Sequence, residues 1–414
     1  MTVQLTDLVD RFEAARQAQL AASDELQIEL PVRYLRQQAH LTTPATNPRI
    51  ATKAIGAALQ TAEKLMGRYE ISRADLAERL ELPVADVDRL LDGDPSAPGV
   101  VVDLEDGVAP GAAEEARAQA LEVLTHEDWG SGLRMLRPSG IGDDRSVRDV
   151  VEVISGAADF AARTETALPI DAIVFPKVKH VADVEWMYEL LDRLETAHEL
   201  EPGQIRVIYL IETAWSLQNL QQLVTAGRSR LAGMVLGPAD LSADLQLPEV
   251  RYRHALCDFA RHLMVSAAGA VGVPAIDGMT MNFPVAAGVA EDEQKDFVLG
   301  RMRENFDDTR HSLDVGFAGR WVGHPLQLLA SLLAFPAVYT REALESEVAS
   351  VEEFARAIAD NKGAVAGAQG ELLDIATDRQ SRGVLRRAAA WGLMPTAQAR
   401  ELGVITAAEE AELS

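Results

Sequence analysis

The sequence predicts a closed, parallel (β/α)8 TIM barrel with added helical segments. Three observations predict it. Short apolar, β-rich runs alternate with helical patterns along the chain, which argues for parallel strands joined by helical crossovers. Eight such runs are present, and eight units argue for a closed barrel rather than an open sheet. Polar residues gather at the carboxyl ends of the runs, the face on which a parallel barrel builds its site. No glycine fingerprint of the dinucleotide-binding kind follows the first run, which weakens the open-sheet alternative.

Length and charge fit this architecture. The chain has 414 residues, 48% of them hydrophobic, ample for one large core and an accessory region. A barrel of this kind takes about 250 residues, so about 150 remain for additions. Arg and Lys number 39 against 64 acids, a formal charge of −25. Such a surface repels phosphate backbones, so no nucleic acid partner is expected. The lone Cys257 excludes an intrachain disulfide and a thiolate metal cage, and is expected as a small buried apolar side chain. The most apolar run, "LMVSAAGAVGVPAI", is 14 residues long and contains Gly and Pro, too short to span a bilayer. The expectation is a cytoplasmic protein without a membrane partner.

Residues 1–39 form an N-terminal helical segment. "MTVQLTDLVDRFEAARQ" is charged and amphipathic and lacks the apolar centre of a signal peptide. The barrel is expected over 40–335. Its first strand is "HLTTPA" (40–45). An insertion at about 51–99 then exceeds the one helix needed there. Its "ISRADLAERLELPVADVDRLLDGD" scans as two short helices around Leu82-Pro83. The shape is that of a helix-turn-helix, but residues 71–94 hold seven acids and three arginines. That argues for a surface insertion or an oligomer contact and against a recognition helix.

The second strand is "VVVDLED" (100–106), followed by the helical "GAAEEARAQALEVL". The third is "LRMLRP" (133–138). The fourth, "AIVFPK" (172–177), precedes "VADVEWMYELLDRLETAHEL". The fifth, "RVIYLIET" (206–213), precedes "LQNLQQLVTAG". "GMVLGP" (233–238), "GVPAIDG" (272–278) and "RWVGHP" (320–325) complete the eight. Residues 336–414 form a helical or lid-like extension. It contains the amphipathic "TREALESEVASVEEFARAIADN", a Gly- and Ala-rich turn "KGAVAGAQGELLD", and a helical tail.

The candidate site residues sit where strands end. Asp103, Glu105 and Asp106 end the second, Arg137 the third, Lys177 the fourth and Glu212 the fifth. Asp240 follows the sixth, Asp277 ends the seventh and His324 the eighth. Three acids at the mouth of an apolar strand are costly unless neutralised. Glu212 and Asp240 follow neighbouring strands, so their carboxylates can converge. Two carboxylates, with waters and substrate oxygens, suit Mg²⁺. An iron or zinc site would normally recruit histidines, and none lies beside these two in sequence. Each acid also has a plainer reading, as a cap of the helix that follows it. Asp103 has one too, as a simple strand-end residue.

Six stretches in order carry a resemblance: "DLEDGVAP", "IVFPKV", "IETAWSLQNL", "LGPADLSADL", "PAIDG" and "GFAGRWVGHPLQ". They resemble successive motifs of the citrate lyase beta-subunit-like lyases, a family that includes malyl-CoA and citramalyl-CoA lyases and thioesterases. The match runs over about residues 40–335, with weaker similarity to about 390. It implies a Mg²⁺-dependent barrel enzyme, with Mn²⁺ as a substitute, acting on a 3-hydroxyacyl-CoA. Coenzyme A belongs to the substrate.

By this resemblance Glu212 and Asp240 are the metal carboxylates. Arg137 is the arginine that polarises the thioester carbonyl, with Arg134 as a rival because the usual Arg-Val-Asn here reads "RPS". Arg49, in "TTPATNPR", lies on the acyl-CoA side; apart from the resemblance, Lys177 is a lysine in reach of CoA phosphates. Asp374, in "GELLD", is the proton-transfer acid supplied to a neighbouring subunit, with Asp378 as its rival. Asp103, Glu105 and Asp106 hold metal waters and the arginine from behind. The expected activity is carbon–carbon cleavage or formation between an acyl-CoA and a 2-oxo acid through an enolate, in a homo-oligomer (trimer or hexamer). The alternatives are a malyl-CoA thioesterase or malate-synthase-like condensation, a class II pyruvate aldolase without CoA, and, more remotely, a non-catalytic barrel.

Overall fold

The computed structural model describes residues 5–24, 27–46, 57–93, 99–126, 129, 132–367 and 370–413. Eight strands form the barrel: β1 (Ala39–Pro44), β2 (Gly99–Asp103), β3 (Arg134–Arg137), β4 (Ala172–Phe175), β5 (Arg206–Ile211), β6 (Leu231–Leu236), β7 (Ala275–Asp277) and β8 (Gly319–Val322). They pair in chain order, all parallel, and β8 closes on β1. Every expected strand is present, and most are shorter than their apolar runs. The run "VVVDLED" stops being strand at Asp103, so Glu105 and Asp106 lie in the turn that follows.

Side chains alternate across the wall with the period of two that a strand imposes. Val101, Met135, Val174, Ile208, Ile276 and Trp321 fill the interior. Val100, Val102, Leu136, Ile173, Phe175, Val207 and Tyr209 face the helical shell. Both faces are apolar because a parallel sheet is covered on both sides.

The insertion holds three helices, Ala58–Arg68, Arg73–Leu80 and Val84–Asp92. Ser72 and Asp75 form a capping box at the start of the second, and Glu81, left-handed at φ 59°, ends it. Met66, Leu76, Leu80 and Val87 join Met302, Phe306, Leu329 and Leu333 in one buried cluster. The segment is thus a docked cover over the helices Gln294–Val315 and Pro325–Val338 rather than a loose appendage. Arg73 pairs with Glu63, Asp88 and Asp92, Arg79 with Asp296, and Arg89 with Asp86. Its three expected arginines are occupied within the chain.

The C-terminal extension differs from expectation in two ways. The Gly- and Ala-rich turn is a small antiparallel hairpin, β9 (Val365–Ala366) with β10 (Leu372–Leu373). The tail also packs at the amino-terminal end of the barrel, away from the mouth. Leu385, Ala388, Val404 and Leu413 bury against Val32, and Trp391 Nε1 donates to the Leu35 carbonyl at 2.9 Å. Within one chain the tail is a floor rather than a lid.

Asp277, expected at the mouth, points the other way. It is fully buried between the wall and the helices. Arg261 Nε lies 2.9 Å from it, Tyr252 donates at 2.5 Å, Ser312 at 2.7 Å, and Arg320 Nη1 stands 3.5 Å away. This acid neutralises two fully buried arginines. Removing one partner of such a group leaves an uncompensated buried charge, at a cost of about 3–5 kcal/mol. Asp277→Ala should therefore lower the melting temperature strongly. A variant that melts with the wild type would show the network to be dispensable.

Candidate active site at the barrel mouth

The site starts from a strand-to-strand pair. In the β2–β3 register, Asp103 stands opposite Arg137. Both side chains are nearly buried, and they meet as a fork: Nε to Oδ1 at 2.7 Å and Nη2 to Oδ2 at 2.8 Å. The Glu105 backbone N–H donates to the same Asp103 Oδ1 at 2.9 Å. Arg137 Nη1 lies 3.1 Å from Glu105 Oε2 and 3.4 Å from Asp106 Oδ2. The Trp321 ring lies 5.6 Å from the guanidinium carbon. Burial works against the charge of Arg137, but the bonds and fields of Asp103, Glu105 and Asp106 prevail and raise its pKa. Arg134 sits at the opposite end of the strand, donating to the Leu124 carbonyl at 2.9 Å with the Trp129 ring 5.0 Å away. Of the two rivals, only Arg137 belongs to the mouth.

Lys177 joins the acids. It follows Pro176 in the left-handed region at φ 53°, a conformation that costs a non-glycine residue about 1–2 kcal/mol. That turn aims its backbone N–H at Glu212 Oε1, 2.8 Å away. Its ammonium lies 2.8 Å from Glu105 Oε1, 3.5 Å from Asp106 Oδ1 and 3.9 Å from Asp240 Oδ1. Burial opposes this cation too, and Glu105 more than offsets it.

Glu212 directly follows β5 and is only 1% exposed. The neighbouring strand approaches so closely that a Cβ at Gly237 would lie 2.6 Å from the Glu212 Cβ and 2.9 Å from its Oε2. A glycine is required there for this carboxylate to fit. The plainer readings as helix caps do not hold. Thr213 caps the helix Ala214–Gln218, accepting from Ser216, and Gly237 is the cap position before Pro238–Asp244. Asp240 lies in that helix's first turn. Burial, then the charges of Glu105 and Asp240, push the Glu212 carboxyl well above the usual carboxylate range, against the pull of Arg137 and the Lys177 N–H.

The donor set fits a hard divalent cation. Five carboxylates, Asp103, Glu105, Asp106, Glu212 and Asp240, face two side-chain cations, Arg137 and Lys177. Glu105 Oε2 is buried and accepts no hydrogen bond, although Arg137 stands near. Among the described residues, no three His, Cys, Asp or Glu side chains converge as a ready-made metal cage, so an ion here would rest on two carboxylates. Glu212 and Asp240 would be its two protein ligands, leaving the remaining positions to water and substrate oxygens.

Other expected residues lie elsewhere. Arg49 falls outside the described residues. Asp374 caps the helix Ile375–Ala390, its Oδ1 accepting from Ala376 at 2.9 Å and Thr377 at 3.0 Å. Asp378 Oδ2 accepts from Arg382 at 2.8 Å, and its buried Oδ1 has no hydrogen bond. Both acids make their bonds within the extension. His324 caps the helix Pro325–Val338 through Nδ1, and burial lowers its pKa to about 4, so it accepts as the neutral ring. Cys257 is buried, as expected. Sequence reasoning missed Trp321 and Gly237. The alternation along "GRWV" signals the first as inward-facing, whereas the second needs the actual distance between strands.

A carboxyl whose pKa is raised on folding stabilises the protein most at low pH. That contribution is lost as pH rises from the ordinary glutamate value through the raised one. Glu212→Gln, which cannot ionise, should therefore melt higher than the wild type in metal-free buffer at pH 8. The advantage should shrink toward pH 4.5, the ordinary glutamate value. Melting curves with chelator across this range test it, and a difference independent of pH would refute the buried-charge account.

The chain is similar to several known proteins. The L-malyl-CoA/beta-methylmalyl-CoA lyase of Rhodobacter capsulatus is 28% identical over 340 residues, covering 77% of this chain and 92% of that protein. A citrate lyase structure from Burkholderia xenovorans matches at a TM-score of 0.60 and 17% identity, covering 94% of this chain and 98% of that one. CitE from Mycobacterium tuberculosis, solved with magnesium, acetoacetate and coenzyme A, matches at 0.52 and 20% identity, covering 85% and 98%. These structures share the barrel fold. Residues 31–414 match the family described as "Domain of unknown function (DUF6986)", and the chain belongs to that family.

Proposed function

We propose that this chain is a Mg²⁺-dependent carbon–carbon lyase that cleaves or forms a 3-hydroxyacyl-CoA such as malyl-CoA or citramalyl-CoA. Its other partners would be an acyl-CoA and a 2-oxo acid. The observation that carries the reading is the juxtaposition of an Asp103-clamped arginine with the acid pair Glu212 and Asp240 at one barrel mouth. The malyl-CoA lyase of Rhodobacter capsulatus, similar over most of its length, supports it.

The residues divide the work. Glu212 and Asp240 would hold the ion, which when bound supplies a Lewis acid to the oxo-acid carbonyl. Arg137 lies with its guanidinium plane fixed by Asp103, so it can donate to the thioester oxygen without reorganising as negative charge develops there. A well-placed donor of that kind contributes roughly 3 kcal/mol. Asp103, Glu105 and Asp106 keep the arginine and lysine in place. A carboxylate must move the proton of the acyl methyl group. We assign that role to Asp374 of a neighbouring copy on the resemblance that "GELLD" carries; within its own chain it caps a helix. Arg49 would lie on the CoA side. The same reading places the enzyme in the cytoplasm as a homo-oligomer, trimer or hexamer.

Purified protein with Mg²⁺ should convert malyl-CoA or citramalyl-CoA to acyl-CoA and oxo acid, read by mass. Glu212→Ala should fold and lose the metal-dependent turnover. Release of free CoA without an oxo acid would instead indicate thioester hydrolysis, and CoA-independent cleavage of a 4-hydroxy-2-oxo acid would indicate an aldolase.

The neighbour role has its own test. Glu212→Ala and Asp374→Asn, each inactive alone, should regain activity when mixed and reassembled, since some sites then receive both intact residues. Mixed oligomers without recovery would place the proton-transfer group elsewhere.

A further inference from the structure

We infer that Lys177 is the site's built-in counter-cation, competing with the divalent ion for the same carboxylates rather than reaching outward for the substrate's phosphates. The inference rests on the metal reading of Glu212 and Asp240. A lysine serving phosphates would extend its ammonium into solvent. Here the ammonium is turned inward, 2.8 Å from Glu105, 3.5 Å from Asp106 and 3.9 Å from Asp240. The backbone of the same residue is held in the left-handed region at φ 53°, and its N–H reaches Glu212 at 2.8 Å. One residue therefore faces both expected metal ligands, Glu212 through a main-chain hydrogen bond and Asp240 through a side-chain charge 3.9 Å away.

The two contacts have different consequences. The N–H fixes the Glu212 carboxylate whatever side chain the position carries. The ammonium places a full positive charge beside the space an ion would enter. A divalent cation bound by Asp240 must be accommodated against that charge, with the ammonium left to Glu105 and Asp106. Lys177 thus lowers the affinity for metal while offsetting part of the acids' charge without it, which makes metal occupancy responsive to concentration and to arriving substrate oxygens.

The test uses the full chain stripped of metal and titrated with Mn²⁺ alone, free ion being read by electron paramagnetic resonance. Lys177→Met and Lys177→Gln remove the charge and keep the backbone contact. Both should bind Mn²⁺ about tenfold more tightly than the wild type or better, since a unit charge this close to a ligand oxygen is felt strongly even near solvent. Lys177→Arg, which keeps the charge, should bind no more tightly than the wild type. The rise in melting temperature on adding Mn²⁺ should follow the same order and serves as a second measurement. Equal binding by the wild type and the neutral variants would overturn the inference and leave the metal reading intact. A neutral variant that binds normally but has a raised KM for acyl-CoA would return Lys177 to the substrate. No Mn²⁺ binding by any of the four proteins would overturn the metal reading and this inference with it.

Discussion

The mouth of this barrel depends on the fork between Asp103 and Arg137. It is a buried ion pair, and such a pair contributes little net stability because both charges lose their water. What it supplies is direction. Two bonds fix the plane of the guanidinium, the register of β2 and β3 fixes where that plane stands, and Glu105 is tied back to the same aspartate through its N–H. Glu105 in turn accepts from the Lys177 ammonium, and the Lys177 backbone N–H donates to Glu212. Side chains from β2 through β5 are thereby linked in one chain of contacts, each oriented by the one before.

The resulting electrostatics are unbalanced on purpose-built geometry. Arg137 and Lys177 are held charged against burial, whereas Glu212 is pushed toward its neutral form. Groups displaced in opposite senses within one cleft are a signature of sites that bind or transform ligands. The buried Asp277 network, by contrast, is nearly satisfied by its own partners and faces the helical shell. It holds β7 and β8 to their helices. One strand end thus works for chemistry and the next for cohesion, although both carry an aspartate.

Much of this was legible in the sequence. The eight strands and their closure followed from alternation and count, and the mouth residues from their places at strand ends. Asp277 was misplaced because a strand-end acid can point to either face, and with only three residues in β7 there is little pattern to decide it. The hairpin at 365–373 was missed because its two-residue strands sit among glycines and alanines, where no period is visible. The docking of 58–92 onto the last barrel helices was hidden for a different reason: Met66, Leu76, Leu80 and Val87 show which faces are apolar, not what covers them. The role of Gly237 depends on an interstrand distance that no local pattern encodes.

The floor beneath the barrel bears on how the chain is made. β1 finds its partner β8 only near the end of the barrel segment, and Leu35 and Val32, which precede β1, find Trp391 and Leu413 later still. Pairings of such long sequence separation are slow to form and leave strand edges exposed while they wait. A ribosome releasing this protein residue by residue would hold an open, edge-bearing sheet until β8 emerged to pair with β1. The outer edge of the first strand would be the last in the barrel to be sealed, and chaperone demand would be greatest just before β8 is made.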